Sequence, residues 1–362
     1  MDELQKTTLE TGVLMTSVEQ SHITAGACNS QGEAPNGYVS RQEFDLLTRV
    51  VMQTKAVDLV RVGPFLNFMF VDDLAYDNIS TAAKNISLKE QLLHKEAPAL
   101  AMQAPENVVT NWNPFSHVLE DLVLAAFALH GAFSVIDVGC QYGSSAMETA
   151  RRVAALGADA EVLAFDCGVA GELAEINIAN NGFTKRIAFS RSAIGPIDGW
   201  IMMHREIYHS ENNRVVNPSR EGAIRSLSVP VQCTRLDTVV ENCSSPDALV
   251  VKIDTQGAEP MVLAGATQFM ARRKHAMLIE FTPHAIAGQV DPVEFLSMLL
   301  AEHYVFNVNA GGSQPTRIND AGVQQVVQSV ASSESAYTDL LVLSHGYPPC
   351  ECINDSLRRV GV

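Results

Sequence analysis

The chain has 362 residues, 47% of them hydrophobic and 18% charged, and its 25 basic against 41 acidic side chains leave a formal charge of −16. This length allows one large domain with an appendage, or two domains, and the composition excludes a disordered or fibrous chain. So negative a chain repels phosphate backbones and anionic lipid, so neither a nucleic-acid nor a membrane partner is expected.

The acidic start Met1-Asp2-Glu3-Leu4-Gln5-Lys6 lacks an apolar core and does not read as a secretory signal. Leu122 to Ile136, the most apolar stretch, is broken by His130 and Gly131 and is too short to cross a bilayer, so a cytoplasmic location is expected. Seven scattered cysteines form no disulfide framework, and the Cys350-Glu351-Cys352 pair lacks partners at metal-ligand spacing. The triplet Arg272-Arg273-Lys274 reads as a solvated helix face.

In chain order, Ser21 to Tyr38 reads as a flexible lead-in. Arg41 to His94 carries helical patterns around Phe44, Leu46, Leu47, Val50 and Val51, interrupted by Gly63-Pro64 and the apolar stretch Phe65 to Val71. Residues 1–112 are therefore expected to form a lead-in and a mainly helical cap. Asn113-Pro114 opens a helix that ends near Gly131. Short β-rich runs then alternate with helices: Ser134 to Val138, Glu161 to Asp166, Arg186 to Ser190, Ala248 to Asp254, Ala276 to Phe281, His303 to Val308 and Asp339 to Leu343. Helices are expected at Ser144 to Leu156, Gly171 to Asn180, Glu259 to Arg273 and from Asp291-Pro292 to Glu302. This rhythm predicts an α/β domain over 113–346 built on a Rossmann-like, seven-stranded, mostly parallel sheet, followed by a tail over 347–362. Gly199 to Ser228, with His204 and His209, reads either as a substrate-covering insertion or as a surface connection.

The chemistry is concentrated where Val135-Ile136-Asp137-Val138 runs into Gly139-Cys140-Gln141-Tyr142-Gly143. Glycines there permit a tight turn and close approach of a ligand, and Asp137 can accept hydrogen bonds at the strand end or brace the loop. A dinucleotide fingerprint needs a middle glycine where Cys140 and Gln141 stand, so a sulfonium nucleoside is better served than a pyrophosphate. Asp166 ends the next strand, at the distance of an acid that accepts bonds from ribose hydroxyls.

Several segments carry a resemblance: Ile136-Asp137-Val138-Gly139 with Gly143, Phe165-Asp166, Asn177 with Asn181-Gly182, and Ala193-Ile194-Gly195. Arg235-Leu236-Asp237, the block Lys252-Ile253-Asp254-Thr255-Gln256-Gly257-Ala258-Glu259, Leu263-Ala264-Gly265-Ala266 and Ile279-Glu280-Phe281 extend it. Over Asn113 to His345 the chain resembles the FkbM family of S-adenosylmethionine-dependent methyltransferases. Members usually show Gly-Ala-Asn where this chain has Gly139-Cys140-Gln141, and Phe-Glu-Pro where it has Phe165-Asp166-Cys167.

The resemblance implies the class I methyltransferase fold, S-adenosylmethionine as cofactor, and O-methyl transfer to a hydroxyl of a small molecule or glycan. The cofactor-binding residues expected are Asp137, Gly139, Gln141, Tyr142, Gly143, Asp166, Ser192 and Ala193. Asp254, Glu280 and His284 are the catalytic candidates, since alignment of the nucleophile and removal of its proton are what the displacement asks of the protein. Asp254 reads equally as a helix cap. Asp254 with Glu280 could offer oxygens to a divalent ion, but no ligand spacing supports one and no metal is expected. Two other functions compete, a nicotinamide-dependent oxidoreductase on the same sheet and a non-catalytic binding protein that keeps the fold. The oligomeric state is left open, a homodimer included.

Overall fold

The computed structural model describes residues 57–62, 64–70, 117–204, 214–215, 228–272, 274–308, 315–333, 337–345 and 347. The lead-in, the helical patterns at 41–56 and 71–94, the Asn113-Pro114 helix start, His209 and the Cys350-Glu351-Cys352 pair lie outside these residues.

The first described elements correct the expectation of a mainly helical cap for the segment they occupy. β1 (Val57–Val62) and β2 (Phe65–Phe70) pair antiparallel as a hairpin. The period is two rather than 3.6: Phe65, Asn67 and Met69 fall on one face and are all buried. That face docks on the main domain through Asn181, which accepts from the Leu66 N–H at 3.1 Å and donates to the Leu66 carbonyl at 2.9 Å. Asn67 Nδ2 donates to Ser144 Oγ at 2.7 Å, and the Phe65 ring meets Phe183 edge-on with centroids 5.7 Å apart.

α1 (His117–His130) ends at Gly131, whose positive φ of 72° turns the chain into β3 (Ala132–Val138). There follow α2 (Ser144–Ala155), β4 (Asp159–Phe165), α3 (Ala170–Asn180) and β5 (Ile187–Ser190). Next come β6 (Ala193–Ile194), β7 (Gly199–His204), β8 (Arg214–Val215), β9 (Ser228–Thr234), α4 (Leu236–Glu241) and β10 (Leu249–Ile253). α5 (Glu259–Ala264), α6 (Thr267–Arg272), β11 (His275–Phe281), α7 (Pro283–Ile286) and α8 (Pro292–Glu302) continue the chain. It closes with β12 (His303–Val308), β13 (Thr316–Arg317), α9 (Val323–Ala331) and β14 (Thr338–Ser344).

The main sheet has eight strands in the order β13-β12-β14-β11-β10-β3-β4-β5. Each of the seven expected runs is a strand of it. The eighth, β13, holds two residues, too few for any periodic signal. β5, β4, β3, β10 and β11 are mutually parallel, while β14 is antiparallel to both β11 and β12. One apolar layer lies between the sheet and α1 and α2, with Leu122, Phe133, Val135, Met147, Val250 and Leu278 in it. On the other face Ile136, Val138, Val251, Ile253, Phe281 and Leu296 form the second layer. Each large side chain taken fully from water in these layers contributes about 1.5–3 kcal/mol.

The helix expected over Glu259 to Arg273 is two helices. They part at Gly265-Ala266 because the chain must pass close to its neighbour: a Cβ on Gly265 would stand 1.9 Å from the Gly195 carbonyl oxygen. Asp237 then caps α6 from across the fold, its Oδ1 accepting from Phe269 N–H at 2.8 Å and its Oδ2 from Gln268 N–H at 3.2 Å.

The insertion after β5 builds a separate four-stranded sheet, β6-β9-β7-β8, so the described residues of Gly199 to Ser228 are strand. Cys167, just beyond β4, packs on it, with Sγ 3.3 Å from Met203 Sδ.

Candidate functional site

The order of the main sheet reverses direction between β3 and β10: β3, β4 and β5 step to one side, β10 and β11 to the other. A cleft outside the carboxyl ends of the strands is the expected ligand position at such a point. Two loops meet there. Gly139, at φ 81°, lies so close to the chain after β10 that a Cβ on it would stand 1.8 Å from the Asp254 carbonyl oxygen. Gln141, at φ 49°, and Gly143, at φ 81°, complete a left-handed turn that leads into α2.

The expected cofactor-binding residues fall around this turn. Asp166 accepts from the Gln141 N–H at 2.8 Å with Oδ2 and from the Gly168 N–H at 2.7 Å with Oδ1. It therefore braces the glycine loop, and each oxygen retains a further lone pair. Burial raises its carboxyl to about 6 against the pull of these two N–H groups. Asp137 is buried, takes a hydrogen bond from Ser145 Oγ on Oδ2, and has no hydrogen-bond partner on Oδ1. Tyr142 is buried too, and its carbonyl accepts from Asn177 Nδ2 at 3.1 Å, which ties the loop to α3. Ser192 and Ala193 are buried where the chain leaves β5 for β6, and Ser192 Oγ lies 3.0 Å from Ser190 Oγ. Cys140 is buried, and burial pushes its thiol well above the ordinary range, so this departure from the usual loop sequence leaves an inert small side chain.

The catalytic candidates separate. Asp254 and Glu280 meet through Gln256, whose Nε2 donates to Asp254 Oδ1 at 3.3 Å and to Glu280 Oε2 at 3.1 Å. Register explains the meeting: Lys252 stands beside Leu278, so the next residues on the same face are Asp254 and Glu280, and Glu280 pairs with Asp339 on β14. Burial raises Glu280 well above the carboxylate range, and the neighbouring Asp254, Glu259 and Asp339 add to the effect. His284 is exposed on α7, its Nε2 3.4 Å from the Ala331 carbonyl at the end of α9.

Lys252, Gln256, Glu259 and Asp339 belong to this group although site reasoning on the sequence did not select them. A lysine inside the buried run of β10 carries a signal, since its charge needs a partner. It finds Asp254 Oδ2 at 2.9 Å and Asp137 Oδ1 at 3.7 Å. Gln256 gave no signal, because its role depends on a positive φ of 56°.

Glu259 folds the block back on itself. Its Oε1 accepts from Thr255 N–H at 2.8 Å, Thr255 Oγ1 at 3.0 Å and Gly257 N–H at 3.3 Å, while the buried Oε2 has no partner. Burial pushes this carboxyl up from 4.5 to about 7 despite the donors. The folded protein thus holds the proton more tightly than the unfolded chain. Stability from this group is fully present below about 4.5 and is lost as pH rises through about 7. Glu259→Gln keeps the accepting oxygen and cannot ionise. The drop in urea-unfolding free energy between pH 5 and pH 8 should be smaller in this variant than in the unmodified chain by on the order of 2 kcal/mol. Equal drops would mean that Glu259 is already ionised at pH 5.

Residues 173–307 match the model of the methyltransferase FkbM domain. The match shows the FkbM resemblance read from the sequence over residues 173–307, and the main sheet is mixed and mostly parallel. The matched span begins in α3 and ends in β12, so it includes the Lys252 to Glu259 block. Among solved structures, the chain is similar to the O-methyltransferase TomG from Streptomyces achromogenes, in complex with S-adenosylmethionine. The identity is 13%, 70% of this chain and 93% of that one are covered, and the TM-score is 0.34. It is also similar to a methyltransferase from Geobacter sulfurreducens in complex with S-adenosyl-L-homocysteine, at 11% identity, 66% and 94% coverage and a TM-score of 0.31. Likeness at this level fixes neither ligand nor substrate for the present chain. No curated protein matches it. Among the described residues, no helix is long and apolar enough to cross a membrane, and no group of three or more His, Cys, Asp or Glu could hold a metal ion.

Proposed function

We propose that this chain is an S-adenosylmethionine-dependent methyltransferase that methylates a hydroxyl of a small molecule or a sugar. The observation that carries this reading is the convergence of the Gly139 loop, Asp166 and Asp254 at the sheet's reversal point, within a fold whose 173–307 segment matches a methyltransferase domain.

The residues present suit the cofactor. Asp166 presents its remaining lone pairs beyond β4, where a ribose would lie, and the Asp137 carboxylate, whose Oδ1 takes no hydrogen bond, offers negative charge to a sulfonium or an ammonium group. When bound, the cofactor supplies a methyl group already activated by positive sulfur. The chain's own part is to align the acceptor oxygen and receive its proton. Asp254 is the proton acceptor in this reading, and Glu280, whose carboxyl burial pushes well above the ordinary range, is a hydrogen-bond donor beside it when it carries its proton. His284, exposed and turned to Ala331, has no part in it.

Isothermal titration with S-adenosylhomocysteine, followed by transfer of labelled methyl from the cofactor to a panel of hydroxylated metabolites and sugars, tests the reading. Binding of NAD in place of S-adenosylhomocysteine would sink it, and binding without transfer to any acceptor would favour a non-catalytic role. Asp166→Ala should weaken S-adenosylhomocysteine about tenfold, since one charge-assisted bond to a hydroxyl and the brace on Gln141 are lost together. Unchanged affinity would remove Asp166 from the ribose site.

A further inference from the structure

Lys252 stands directly beside Asp137 in the pairing of β10 with β3, and Asp254 follows it on the same face. Its side chain is 12% exposed, so the charge is largely taken from water and must be repaid by its neighbours. Burial alone would lower the lysine's affinity for its proton. Asp254 and Asp137 outweigh that and raise it, so the ammonium stays charged. Asp137 is more deeply buried, at 2% exposure, and burial raises its carboxyl while Lys252 and Ser145 oppose the rise.

The groups facing Asp137 come from every element around it: Ser145 on α2, Cys140 in the loop, Asp166 beyond β4, and Lys252 and Asp254 on and after β10. Glu280 and Asp339 stand behind Asp254. Among the described residues, Lys252 is the cation that pairs with this row of carboxylates.

We propose that Lys252 is a positioning residue of the cofactor site: its ammonium, 2.9 Å from Asp254 Oδ2 and 3.7 Å from Asp137 Oδ1, joins the ends of β10 and β3 and holds the Asp137 carboxylate in place at the end of β3. The inference rests on the methyltransferase reading. Without the lysine's charge, burial raises the Asp137 carboxyl further, and a ligand's ammonium group must then displace a proton from it to bind.

The test is titration with S-adenosylhomocysteine at pH 7 and pH 8.5, in buffers of different ionisation enthalpy so that protons exchanged on binding are counted. Lys252→Met and Lys252→Gln both remove the charge, and Lys252→Arg keeps it. Thermal unfolding shows which variants are folded, and the two neutral variants guard against one of them failing. The neutral variants should bind about tenfold more weakly than the unmodified chain at pH 7, release about one more proton on binding, and regain most of the affinity at pH 8.5. Lys252→Arg should stay within about threefold of the unmodified chain. A loss that is the same at both pH values with an unchanged proton count would mean that Lys252 only packs, and would overturn the proposal. Failure of the unmodified chain to bind would overturn the methyltransferase reading as well, so the two failures are told apart.

Discussion

Replacing Gly139 with alanine should destabilise the protein by about 3 kcal/mol, read as a fall in the urea midpoint at unchanged slope. Two costs add at this position. A side chain at φ 81° costs about 1–2 kcal/mol by itself. The new Cβ would also stand 1.8 Å from the carbonyl oxygen of Asp254, and a backbone atom cannot rotate away as a side chain can. Gly157 separates the two costs, for its φ is 62° and nothing lies within 4 Å of a Cβ built on it. Gly157→Ala should therefore cost only about 1 kcal/mol. If both variants unfold at the same midpoint, the glycine loop does not approach β10's end as closely as the structure has it. Moving the loop away from Asp254 should also weaken S-adenosylhomocysteine, because the two halves of the proposed site are held together at this contact.

Asp254→Asn should slow methyl transfer about a hundredfold or more, with affinity for S-adenosylhomocysteine within a few fold of the unmodified chain. The asparagine keeps the shape and one oxygen that can accept from either Lys252 or Gln256, but it cannot take a proton from an acceptor hydroxyl. The split between rate and affinity is what distinguishes a group acting on the acceptor from one that binds the cofactor. Steady-state rates and titrations on the same preparations measure it. A normal rate would leave Asp254 as the structural cap that the sequence equally allowed, and a parallel loss of affinity would move it to the cofactor side of the site.

Much of the fold was legible because strand and helix periods are local properties. The runs at Ser134 to Val138 and His303 to Val308, the glycine turn after Val138 and the proline start at Pro292 all state their conformation within a few neighbours. Two errors were of the opposite kind. The hairpin at Val57 to Phe70 lay inside a segment whose flanks repeat at helical spacing, and only the face of Phe65, Asn67 and Met69 betrayed it. The break at Gly265 arises from contact with Gly195, seventy residues away in the chain, to which no local pattern responds.

The candidate site divides along the same line. The sequence by itself determined the Gly139 to Gly143 turn, the acids that end β4 and β10, and the resemblance carried by the Lys252 to Glu259 block. These are short-range facts, since a turn needs glycine where φ is positive and an acid in an apolar run needs a polar partner. Which partner it finds was decided only by the tertiary structure. The register of β3, β10 and β11 set Asp137 beside Lys252 and Asp254 beside Glu280. The left-handed turn at Gln256 brought its amide onto both carboxylates, and the outward position of α7 left His284 against Ala331. Long-range pairing is fixed by the burial of whole faces at once, so the partners of a charge are known only when the sheet is assembled.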